Sequence, residues 1–216
     1  NKYEEGIAFI LEGDTEKEFY LSLLEFLCKK HDGILERQLD CSNSPDIIYT
    51  LKTPSRHLLI KFNTVNTVTQ MPHSSRWFIS QCKNKHRDVG SWIVFLCYDL
   101  DNYKNDITKF YEGDWVNLRT SLKKKAKAVH DIAAAADIED IILSDIEGIS
   151  RFLGSPNTMA LPTGSKGKAK LKKLFRQANR TYHEGKRART LIDSLDMQKI
   201  MDTSLAPLTM IESVIF

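Results

Sequence analysis

No apolar run in this sequence approaches the roughly 20 residues that cross a bilayer, so no membrane-spanning helix is expected. Asn1–Leu11 mixes acids among its apolar residues, which is not the layout of a secretory signal peptide. Cysteine is scarce: Cys28, Cys41, Cys82 and Cys97 make four, with no C-x-x-C pair. Neither a zinc site nor a disulfide framework follows from them, and a reducing cytoplasm is the expected setting. Cys28 and Cys97 lie inside apolar runs and read as small buried hydrophobes. The histidines (His31, His57, His73, His86, His130 and His183) lack the H-x-x-x-H spacing of a metal pair. No G-x-x-x-x-G-K-[ST] loop occurs, which excludes a Walker-type nucleotide site.

An excess of one charge is missing as well, since the net charge is only +3. Its distribution is uneven. Basic residues gather at Lys123–Lys127 and from Lys166 to Arg189, whereas acids gather at Glu12–Glu18, Asp99–Asp106 and Asp137–Glu147. Such a separation suits a chain that holds a cation with one set and phosphate with the other, or one with solvated helix faces. The 216 residues, 42% of them hydrophobic, are enough to bury a real core.

Gly6–Leu11 is a short apolar run that reads as a buried strand, followed by a turn and a helix from Asp14 or Thr15 to about His31. Ser91–Tyr98 is the clearest strand, nearly unbroken in apolar and aromatic residues, as in a sheet covered on both faces. His57–Val65 predicts another strand, Ile34–Cys41 is ambiguous, and Ile47–Leu51 fits a strand or a short helix. Ser74–His86 has helical spacing, Asp114–Ala136 predicts one long alanine-rich helix, and Asp140–Leu143 a short strand before a helix ending at Gly154. Ser155–Gly167 carries two prolines and two glycines and predicts a loop. Helices are expected over Lys168–Tyr182, Lys186–Asp196 and Leu205–Val214. The whole predicts an α/β fold with a mostly parallel sheet flanked by helices: a domain over residues 1–154 and a basic helical extension over 155–216.

Three expected strands end in acids: Glu12 after the first, Asp99 and Asp101 after the central one, and Glu147 after Asp140–Leu143. Functional groups gather at the carboxyl ends of parallel strands, so these acids can meet in space. Residues i and i+2 of extended backbone face the same way, which pairs Asp99 with Asp101. Glu16 lies four residues beyond Glu12, across the turn into the helix. Packed carboxylates are relieved by a divalent cation with oxygen ligands, Mg²⁺ among them.

Glu12-Gly-Asp-Thr-Glu16 and Asp99-Leu-Asp101 resemble the E-x-x-x-E and D-x-D motifs of TOPRIM domains, and Ser144-Asp-Ile-Glu147 resembles the S-x-x-E seen in the OLD nucleases. The overall look is similar to the OLD (overcoming lysogenization defect) and RloB-like abortive-infection nucleases, over roughly Gly6 to Gly154. That resemblance implies one or two Mg²⁺ or Mn²⁺ ions on Glu12, Glu16, Asp99, Asp101 and Glu147. It implies a metal-dependent nuclease that cuts phosphodiester bonds in DNA or RNA, the effector of an anti-phage system. Glu12 would serve as ligand or as base. A catalytic lysine is also implied, with Lys186 preferred and Lys168 and Lys166 as rivals. The partners implied are nucleic acid and an ATPase on a separate chain, with a homo-oligomer left open. The alternative is a non-catalytic TOPRIM-like sensor or scaffold that binds the ATPase.

Overall fold

The computed structural model describes residues 2–40, 46–66, 68–100 and 112–216. Strand β1 (Tyr3–Leu11) is buried at every position but Glu4, as a run apolar on both faces must be. It pairs in parallel with β4 (His57–Thr64) on one side and β5 (Val89–Asp99) on the other; Ile7 lies opposite both Ile60 and Ile93. β3 (Asp46–Lys52) runs antiparallel to β4, and β2 (Ile34–Asp40) antiparallel to β3. With β6 (Ala128–Ala134) the sheet has six strands in the order β2-β3-β4-β1-β5-β6. β1, β2, β4 and β5 therefore share one direction and β3 opposes them, so the fold is α/β on a mostly parallel sheet. At its centre Phe9 stacks between Phe62 and Phe95, with ring centroids 5.0 and 5.1 Å away.

Helix α1 (Asp14–Lys30) starts after Gly13, with Asp14 and Glu16 in its first turn and Lys29 and Lys30 in its last. Each set complements the partial charge of its helix end. Phe19, Leu23, Leu24 and Leu27 form its fully buried stripe. The chain leaves the helix through Asp32, whose φ is 51°.

Close contacts sort the described chain into two units. The first comprises residues 2–13, 24–97 and 112–131. Glu5 is buried in it and takes an ion pair from Arg56, a second from Lys127 at 2.6 Å, and a hydrogen bond from Ser91 at 3.1 Å. Lys61 is fully buried on β4 and donates to the Gln81 carbonyl at 2.8 Å. Gln81 belongs to a π-helical segment (Phe78–Asn84) that continues α2 (Ser74–Trp77). Helix α3 (Glu112–Lys123) also belongs here.

The second unit comprises residues 14–23, 98–100 and 132–216. It holds α4 (Ile138–Ile142), α5 (Ile146–Phe152), α6 (Gly167–Gln177), α7 (Arg189–Asp193), α8 (Met197–Thr203) and α9 (Leu208–Ile215). The start of α1 is tied to α7 by Ser22 donating to Asp193 at 2.8 Å and by Arg189 with Glu18 at 3.3 Å. Gly185, at φ 68°, donates its N–H to the Thr15 hydroxyl at 2.8 Å.

Three sequence expectations change. The long helix over Asp114–Ala136 is instead α3, a turn, and β6, because edge pairing on the sheet outweighs alanine's helical preference. The strand over Asp140–Leu143 is helix α4. A capping box decides it: Asp137 accepts from the Asp140 N–H at 3.2 Å, and Asp140 accepts from the Asp137 N–H at 3.2 Å. Helix α8, which the sequence reading does not anticipate, is capped by Asp196 accepting from the Lys199 N–H at 3.0 Å. No described helix is long and apolar enough to cross a membrane.

Candidate functional site

The pairing of β1 with β5 places Leu11 opposite Cys97. Glu12 comes one residue after the first and Asp99 two after the second, at the end of β5. Glu16 stands in the first turn of α1 and is buried, while Glu12 and Asp99 are half-exposed. Within the second unit, one carboxylate oxygen of Glu16 and one of Asp99 lie within 4.8 Å of each other, whereas Glu12 belongs to the first unit. Oxygens so placed have the spacing to ligate a cation. Asp101 lies outside the described residues.

Glu147 is engaged elsewhere. It sits in the first turn of α5, half-exposed, and forms an ion pair with Lys199. That pairing holds its carboxyl below the usual range. The buried acid of Ser144–Glu147 is Asp145, only 1% exposed, which accepts from the N–H groups of Gly148 at 3.1 Å and Asp196 at 2.8 Å. Burial pushes its carboxyl up, but these hydrogen bonds and Lys199 outweigh that and hold it low. This segment follows a helix, so it is not the strand end that the sequence suggests.

The three lysines have separate surroundings. Lys186 is exposed in the short 3₁₀ turn Gly185–Ala188, beside the Gly185 contact to Thr15. Lys166 is exposed and precedes α6. Lys168 donates its backbone N–H to the Asp137 carboxylate and pairs through Nζ with Glu184 at 2.6 Å. Burial draws the Lys168 ammonium down, but Glu184, Glu139 and Asp137 outweigh it and raise it overall.

Around Lys168 stands a buried network without any sequence expectation. Glu139 is 1% exposed and accepts a 3.0 Å hydrogen bond from the Tyr182 hydroxyl. Burial first, then the charge of Asp137, pushes its carboxyl up to about 7, against the pull of Lys168 and Tyr182. Burial and the charge of Glu139 likewise raise the Tyr182 hydroxyl. Asp137 is raised too, chiefly by burial. A first-turn glutamate usually lies in solvent, so only the Ile138, Ile141 and Ile142 spacing could have hinted that this turn is buried.

No protein-family model and no curated protein matches the chain. Among the solved structures that show likeness are two enzymes. One is the 5'-methylthioadenosine/S-adenosyl homocysteine nucleosidase of Campylobacter jejuni, 13% identical, covering 98% of this chain and 99% of that one at a TM-score of 0.30. The other is a futalosine hydrolase mutant of Helicobacter pylori strain 26695, 8% identical, covering 92% and 99% at a TM-score of 0.25. Likenesses this weak carry no inference about the activity of this chain. Neither structure is a TOPRIM nuclease, and no family model supports that resemblance, so the TOPRIM assignment is corrected. The nuclease, anti-phage and scaffold readings and the Mg²⁺ or Mn²⁺ cofactor entered on that assignment and are corrected with it. The physical reason is plain: each motif fixes only two acids or a serine and an acid, and many α/β chains place acids after strands and in first helical turns.

Proposed function

We propose that this chain is a hydrolase acting on a glycosidic bond, with Glu16 and Asp99 as its acid–base pair. The observation that carries the reading is the approach of two carboxylate oxygens, of Glu16 and Asp99, to within 4.8 Å at the end of β5. Clustered anions favour a transition state that gains positive charge, and glycosidic cleavage develops such charge at the sugar carbon. The spacing is nearer the roughly 5–5.5 Å of the double-displacement arrangement than the roughly 6.5–9.5 Å that leaves room for a water. Asp99 bonds to the sugar carbon as the leaving group departs with a proton from Glu16. Glu16 then takes a proton from water, whose oxygen displaces Asp99.

The test is release of base or phenol, with the free sugar, from a panel of nucleosides and aryl glycosides. Glu16→Gln and Asp99→Asn are expected to lower the rate by about 100-fold or more while melting is unchanged. No release from any substrate, equal rates in both variants, or loss of turnover with a chelator would overturn the reading.

A further inference from the structure

The second unit carries a pocket of about 220 Å³ lined in part by Phe152, Phe175, Arg180, His183, Arg187 and Thr190. We propose that it binds one nucleotide, its planar ring against the Arg180–Phe152 face and its phosphate at Arg187 and His183. The inference is independent of the carboxylate group above.

Four observations carry it. The Arg180 guanidinium lies over Phe152 at 4.6 Å and over Phe175 at 5.8 Å. Its Nη1 donates to the Phe152 carbonyl at 2.8 Å, which pins the plane while the side chain stays exposed. A guanidinium is planar and cationic, and ring systems stack on such groups where they lie beside aromatic side chains. The Phe175 and Tyr182 rings meet edge to face at 5.4 Å, and the Tyr182 hydroxyl is turned away to Glu139, which stiffens the wall.

The charges have one sign. Arg180, His183 and Arg187 are exposed around the pocket, and none forms an ion pair among the described residues. No acid lines this pocket. Elsewhere in the unit, exposed or half-exposed cations such as Lys168, Lys172 and Arg189 are matched by carboxylates. Cations left unmatched beside a flat aromatic surface suit a ligand with both a ring and a phosphate. The volume sets the size. It falls below the roughly 300–1,000 Å³ of pockets that enclose a drug-sized ligand, so it seats one nucleotide in part and excludes a folded polymer.

The same chemistry can come from a free mononucleotide or from one nucleotide of a single strand. Calorimetric titration of the full chain with AMP, inorganic phosphate and a single-stranded oligonucleotide separates these sources. AMP is expected to bind at least about tenfold tighter than phosphate. Arg187→Ala and Arg180→Ala should each weaken AMP about tenfold with melting unchanged. Arg180→Lys keeps the charge and loses the flat stack, so it should fall short of wild type. Tighter binding of the oligonucleotide, lost in the same variants, assigns the site to a strand; tighter AMP assigns it to the free nucleotide. Phosphate binding as tightly as AMP, no binding of either nucleotide probe, or full affinity in both alanine variants would overturn the proposal.

Discussion

The Tyr182 hydroxyl donates to Oε1 of Glu139 at 3.0 Å, and neither side chain has appreciable access to solvent. The charges facing Glu139 are those of Asp137, which opposes its ionisation, and of Lys168, which favours it. Glu184 faces Tyr182 and Lys168.

Because the folded state holds this carboxyl near 7 and the unfolded chain near 4.5, the folded state keeps its proton over that interval. The stability this contributes is fully present below 4.5 and is lost as pH rises through 7. Glu139→Gln mimics the neutral acid. It should therefore gain relative to wild type by about 3 kcal/mol between pH 4.5 and 8, read from urea midpoints across that range. A constant difference between the two proteins would contradict the assignment.

Gly6 lies opposite Trp92 across β1 and β5, and a Cβ there would come 2.5 Å from the indole ring. Trp92 is fully buried and meets Phe78 edge to face at 6.0 Å, so it has nowhere to retreat. Gly6→Ala should cost about 2 kcal/mol by overpacking. Combining it with Trp92→Leu should cost less than the sum of the two single changes, which a denaturant double-mutant cycle measures.

Glu5 is nearly buried and is held by Arg56, Lys127 and Ser91. Burial raises its carboxyl, but the hydrogen bonds and the two cations outweigh it and keep it low. Its contribution to stability is thus present above its ordinary value of 4.5 and is lost as pH falls through the lowered one. Glu5→Gln should destabilise by about 2 kcal/mol at neutral pH and by less in acid. Thermal melting at pH 7 and pH 3 compares the two; an equal loss at both values would count against the ion pairs.

Strands β1 and β5 were legible because both are continuous apolar runs, and parallel pairing covers both faces of such runs. Helix α1 was legible from its stripe and its terminal charges. β6 was not, since Ala128–Ala134 carries little to distinguish a strand from a helix until β5 supplies a partner. That Leu11 faces Cys97 follows from the strand order, whereas Glu147 and Asp145 exchange roles because a helix precedes them. Glu139 was invisible for a different reason. Its burial depends on Tyr182, 43 residues later, and local spacing records nothing of that distance.

Asp137 has a consequence for how the second unit comes apart. Its carboxylate caps α4 through the Asp140 N–H and also accepts the Lys168 N–H in the first turn of α6. Gly167 permits that closeness, as a Cβ there would stand 2.3 Å from the Asp140 nitrogen. A five-residue helix such as α4 is too short to persist in isolation, so its order is borrowed through a junction shared with a longer neighbour. The two should open to hydrogen exchange as a single cooperative event, with one protection free energy between them.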